Sequence, residues 1–172
     1  LQIWHNTFTQ TRRGITLNGN AYCTAIGNTF TVPQSNSTNN NTYAYWLQNA
    51  NGCLIANDSI ATDNIDIGNH FTFGIVANEI ENGSDILDNT FTGVFEAANL
   101  FIGQNDNLNI TCNSYKDLNI ADWRLLDLED IQNNNVIHTG RLNEQGVCIF
   151  DEMLNEPNHN QWHSPTNEMP KA

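Results

Sequence analysis

Apolar residues in this chain occur in short runs of alternating polarity, and the runs recur. "IWHNTF" (3–8), "TAIGNTF" (24–30), "LIANDSI" (54–60), "DILDNTF" (85–91) and "ITCNSY" (110–115) share one plan: an apolar run, then an asparagine, then a strand with a large apolar residue. The anchoring asparagines are Asn6, Asn28, Asn57, Asn89 and Asn113, at intervals of 22, 29, 32 and 24 residues. A second family lies between them: "GITLNGN" (14–20), "AYWLQNANG" (44–52), "FGIVANEIENG" (73–83) and "ANLFIGQNDN" (98–107), each closed by Asn or Gly. Alternation with a period of two over so few residues predicts half-buried strands.

Two families of strands recurring at one interval predict a coil. Each rung supplies two or three strands of a few residues, with alternate side chains pointing inward. A single rung cannot bury its own apolar face, whereas stacked rungs bury a continuous core and pair every strand with those above and below. The expected ladder is Asn6 and Phe8, Asn28 and Phe30, Asn57 and Ile60, Asn89 and Phe91, Asn113 and Tyr115. The aromatic or aliphatic member of each pair points inward. The asparagine sits at a bend, where it tolerates an unusual backbone angle and its amide bonds neighbouring backbone or stacked amides.

Irregular spacing places "VPQSNSTNNNT" (32–42) and "ATDNIDIGNHFT" (61–72) in loops bulging from one corner. A β-sandwich also has short strands and frequent turns, but gives no reason for one tripeptide to recur at one place in each unit. The expected fold is therefore an all-β parallel β-helix of about five to six coils over residues 1–140. Within it, "WRLLDLEDI" reads as rung material or as one short helix. Residues 141–172 lose the rhythm and carry Pro157, Pro165 and Pro170, which predicts an irregular C-terminal cap or a linker.

Composition agrees with strands and turns. The chain has 172 residues and 30 asparagines, with only 15% charged residues. Asparagine is a poor helix former, because its amide competes for the backbone. The net charge of −13, with six Lys and Arg, supplies no basic footprint for nucleic acid. An anionic membrane surface is disfavoured for the same reason. No apolar run is long enough for a membrane-spanning helix. The first residue, Leu1, falls within a patterned strand, which reads as a segment of a longer protein.

The pattern "GIxLxxN…xxIxxNTF" resembles right-handed parallel β-helix repeats of the pectate-lyase-like type. "NITCNSYKDLNIADW" followed by "LNEQGVC" is similar to large secreted or cell-surface proteins of Bacteroidota exported by the type IX secretion route. That resemblance implies an extracellular or cell-surface location. It implies a structural or adhesive role, with other domains of the same chain, surface glycans or secretion machinery as partners. The paired Asp, Gly-His-Gly and Arg-x-Lys signatures of β-helix hydrolases, and the arginine motifs of the lyases, do not occur.

The remaining candidates are few. Tyr45 and Trp46 are adjacent, so alternation sends one of them outward, where an aromatic face could hold a sugar; packing beneath the 32–42 loop competes with that reading. Asp63 and Asp66, with Asp85 and Asp88, form the densest acidic stretch with loop character. Their oxygens suit Ca²⁺, although solvated loop acids look the same in sequence. His159 and His163 flank Trp162 in a Pro- and Asn-rich context that reads as a surface tail. Cys23 and Cys53 hold equivalent positions in successive rungs, as buried thiols or as a disulfide. Cys112 and Cys148 bracket the end of the coil, where a disulfide would clamp the cap in an oxidising compartment. Ice or mineral binding would need a regular threonine array, and the irregular spacing of the anchors argues against one.

Overall fold

The computed structural model describes residues 1–19, 22–35, 41–63, 71–80, 83–103, 105, 108–116, 123–126, 135–138, 147–149 and 161–163, with side chains described to Ile110 and at Asn113. Among the described residues the chain is all-β without a helix, and every strand pairing is parallel. The strands fall into three sets that the chain visits in turn.

The first set, sheet A, holds β1 (Gln2–Trp4), β4 (Thr24–Ile26), β7 (Leu54–Ala56) and β10 (Asp85–Leu87). Sheet B holds β2 (Thr7–Thr9), β5 (Thr29–Val32), β8 (Ser59–Thr62) and β11 (Thr90–Thr92). Sheet C holds β3 (Arg13–Asn18), β6 (Thr42–Gln48), β9 (Thr72–Asn78), β12 (Ala97–Ile102), β14 (Trp123–Leu126) and β16 (Val147–Ile149). The strand β13 (Asn109–Lys116) is long enough to serve both A and B, pairing with β10 through its first half and with β11 through its second. Beyond it, β15 (Asn135–His138) and β17 (Gln161–His163) extend sheet A. The "WRLL" of residues 123–126 is strand, and parallel pairing continues past residue 140.

The registers make columns. Ile3, Ala25, Ile55, Ile86 and Ile110 are successive partners in sheet A. Phe8, Phe30, Ile60, Phe91 and Tyr115 are successive partners in sheet B. In sheet C, Leu17, Leu47, Ala77 and Phe101 form a third column. Most of these side chains meet in one buried cluster, and Phe8 stacks on Phe30 with ring centroids 4.5 Å apart. Offset aromatic pairs of this kind add to the stabilisation from burial itself.

Phenylalanines this large need small neighbours. At Gly14 an added Cβ would lie 2.8 Å from the Phe30 ring and 2.3 Å from the Ala44 carbonyl; at Gly74 it would lie 2.6 Å from the Phe91 ring and 2.5 Å from the Ala98 carbonyl. The two glycines are therefore fixed by close approach.

Bends are made by single residues in the left-handed region. His5, Gly27, Asn57 and Asp88 stand between sheets A and B with φ from 54° to 69°. Gly19, Asn49, Glu79 and Gly103 close the strands of sheet C in the same way. Their amides continue the parallel ladder, for example Gly27 N to Ala56 O at 3.0 Å and Asn49 N to Asn78 O at 3.0 Å. Left-handed geometry suits Gly and Asn. Here His, Asp and Glu also adopt it, and His5 and Glu79 are held by such bonds, to Ile26 O and Ile102 O at 3.0 Å.

The irregular intervals are absorbed in one place. Residues 33–41 connect β5 to β6 and residues 63–71 connect β8 to β9, so both insertions leave at the corner between sheets B and C. Sheet C departs from simple alternation: β6, β9 and β12 are buried on both faces. A second apolar cluster of Tyr43, Phe73, Val76, Ala97 and Leu100 lies on the face turned away from the core, with Trp46 and Ile102 against it.

Candidate functional site

The most unusual chemistry lies at the corner between sheets A and B. The residue after each of the bends between sheets A and B is polar, and from the second copy onward it is buried: Asn28, Asp58 and Asn89, with Asn113 at the equivalent place in β13. In each step the side-chain Oδ1 accepts the backbone N–H of the same position in the preceding copy. Asn28 Oδ1 accepts from Asn6 N at 3.0 Å, Asp58 Oδ1 from Asn28 N at 2.5 Å, Asn89 Oδ1 from Asp58 N at 2.9 Å and Asn113 Oδ1 from Asn89 N at 2.9 Å. The amide Nδ2 donates in turn to a sheet A carbonyl: Asn28 to Ile3 O, Asn89 to Ile55 O and Asn113 to Ile86 O, at 2.8 to 3.1 Å. An asparagine suits this place because it offers both an acceptor and a donor to backbone groups that the bend removes from the sheets.

The ladder therefore includes Asp58 and not Asn57. Asn57 is the exposed left-handed residue one position earlier, and the unusual backbone angle expected of the anchors belongs to that preceding residue in the first four copies, at His5, Gly27, Asn57 and Asp88. Two adjacent polar residues, each suited to a bend, concealed a one-residue shift. Asn6, in the first copy, is exposed, and its Nδ2 turns to Trp4 O within its own copy.

An aspartate lacks the Nδ2 donor, and its second oxygen is served from across the core. Tyr45, on β6, is fully buried and its hydroxyl donates to Asp58 Oδ2. Its ring lies 4.9 Å from that of Phe30, tilted by 60°. Asn28 Nδ2 also donates to Asp58 Oδ1 at 3.2 Å. Burial pushes the Asp58 carboxyl above the ordinary range, and the hydrogen bonds from Tyr45 and Asn28 oppose that rise. Burial, followed by the nearby Asp58 charge, raises the Tyr45 hydroxyl as well. With 2% exposure, Asp58 meets no solute, so this carboxylate acts on its own fold.

The other candidates separate. Tyr45 is the inward member of the aromatic pair, so a sugar platform made of Tyr45 and Trp46 together is excluded by its burial. Trp46 faces away from the core and tilts against Tyr43 at 5.4 Å. Large exposed aromatics stand instead at Trp4 and Tyr22. Asp63 accepts a hydrogen bond from Gln10 Nε2 at 2.8 Å, and Asp66 lies outside the described residues. Among the described residues no group of three His, Cys, Asp or Glu is placed to hold a metal ion. Asp58 and Asp88 stand on opposite sides of the backbone, one in the core and one on the bend.

Cys23 and Cys53 are buried thiols that are not joined in a disulfide, with Leu54 N bonded to Cys23 O at 2.8 Å. Burial, then the neighbouring Cys53 sulfur, pushes the Cys23 thiol up to about 11. The side chains of Cys112, Tyr115 and Cys148 lie outside the described set, as do those of His159 and His163. No helix among the described residues is long and apolar enough to cross a membrane. Comparison with protein-family models, with curated proteins and with solved structures finds no match.

Proposed function

We propose that this chain is a right-handed parallel β-helix of about five to six coils serving as a non-catalytic structural or adhesive segment of a secreted or cell-surface protein. The observation that carries the reading is the Asn28–Asp58–Asn89–Asn113 ladder: the buried polar side chains at this corner bond neighbouring copies of the fold. Polar groups committed in this way rigidify a scaffold and are not themselves poised for substrate. The sequence resemblance to Bacteroidota surface proteins supports the location, with other domains of the same chain, surface glycans or secretion machinery as partners. On this reading residues 1–140 hold the regular coils, and residues 141–172, whose β16 and β17 still pair in parallel with the coils, lead to the cap or the next domain.

A polysaccharide-binding or polysaccharide-cleaving β-helix is the second reading, favoured by the exposed rings of Trp4 and Tyr22. A glycan array combined with reducing-sugar release on acidic polysaccharides separates the two. Binding without release keeps the adhesive scaffold; turnover of any polymer ends the non-catalytic reading.

A further inference from the structure

The outward face of sheet B carries an arrangement that the linear spacing hides. On either side of the inward Phe8, Phe30, Ile60 and Phe91 stand two residues that alternation turns outward. The first column is Thr7, Thr29, Ser59 and Thr90, and the second is Thr9, Thr31, Ala61 and Thr92. All are exposed or half-buried. Although the copies lie 22 to 31 residues apart in sequence, the registers align every member, because the insertions leave after the strands end, at the corner between sheets B and C.

We propose that this face is a binding plane for ice. Three observations carry the inference. Neighbouring strands set hydroxyls about 4.8 Å apart along each column, and alternate residues of one strand set the two columns about 6.7 Å apart. Both repeats are near those of water oxygens on a prism face of hexagonal ice. The side chains are also stiff: β-branching restricts χ1, so the threonines present hydroxyl and methyl in a preordered lattice. Finally, neither column contains a charged side chain, in a chain of 19 acidic and six basic residues. An ionic polymer would be met by charge, whereas an uncharged, repeating water lattice is met by hydroxyls and methyls alone. Ala61 is the one position in the two columns without a hydroxyl.

This reading is independent of the scaffold role and has its own test. Thermal hysteresis, ice shaping and inhibition of ice recrystallisation are measured for the wild type, Thr29→Tyr and Ala61→Thr, with thermal melts confirming an intact fold. The expected result is faceted ice and inhibited recrystallisation with the wild type, loss of both in Thr29→Tyr, and a gain in Ala61→Thr, which fills the gap. A wild type that leaves ice unshaped overturns the proposal. So does activity unchanged by Thr29→Tyr, which would place it on another surface, and so does adsorption to crystalline cellulose without any effect on ice.

Discussion

The Tyr45 hydroxyl, on sheet C, reaches across the core and donates a hydrogen bond to Asp58 Oδ2 at the corner between sheets A and B. This contact joins the strand set farthest from the corner to the one carboxylate of an otherwise amide ladder. Tyr45→Phe removes the donor and leaves a buried carboxylate oxygen unsatisfied, at a cost of about 1–3 kcal/mol. In the Asp58→Asn background the same change costs less, because no charge remains to be served. Urea unfolding of both single variants and the double variant measures the coupling; equal costs of Tyr45→Phe in both backgrounds would refute the pairing.

Titration of Asp58 gives the pH dependence a definite sign. Burial raises its folded-state pKa above the ordinary 3.8. Between that value and the raised one, the folded chain holds a proton that the unfolded chain has released. Its contribution to stability is therefore full in acid and declines as pH rises through this window. Asp58→Asn has no such titration. The wild type should lose stability relative to Asp58→Asn between pH ~4 and its folded pKa, the reverse of ordinary acid denaturation. A pH-independent difference between the two in chemical denaturation would remove the assignment.

Asn89 bonds in both directions, accepting from Asp58 N and donating to Ile55 O. Asn89→Ala strands two backbone groups in the core and should cost about 2–6 kcal/mol, from roughly 1–3 for each. Asn57→Ala, one position outside the ladder, removes only a residue tolerant of left-handed geometry and should cost about 1 kcal/mol. Reversal of that order in thermal or urea unfolding would place the ladder on Asn57 after all.

Phe30 sits between Phe8 and Ile60 in its column and is 1% exposed. Phe30→Ala should destabilise by about 3–5 kcal/mol, the range for a large aromatic cavity. Phe8→Ala, at the half-buried end of the same column, should cost less. Calorimetric unfolding of the two variants checks the gradient.

The thiols Cys23 and Cys53 should be silent in the native protein. Burial raises both pKa values, so little thiolate exists at neutral pH and reagents have no access. Labelling with a thiol-specific chromophore should proceed only after denaturation; rapid labelling of folded protein at these two residues would contradict their burial.

Period-two alternation and recurrence of one tripeptide were enough to identify parallel copies and the inward column of Phe8, Phe30, Ile60 and Phe91, because both features are written locally in every copy. They also located the insertions, since residues that break the rhythm cannot join a sheet. The tertiary structure alone decided which of Asn57 and Asp58 enters the ladder. Both are polar, both suit bends, and only hydrogen bonding to residues about 30 positions away distinguishes them. It alone sent Tyr45 inward, since adjacent aromatics read alike until a partner across the core is known. Burial of sheet C on both faces, and alignment of the threonines on sheet B, were likewise non-local. A column forms between copies, and its register depends on where the intervening loops leave the fold rather than on how many residues separate the copies in sequence.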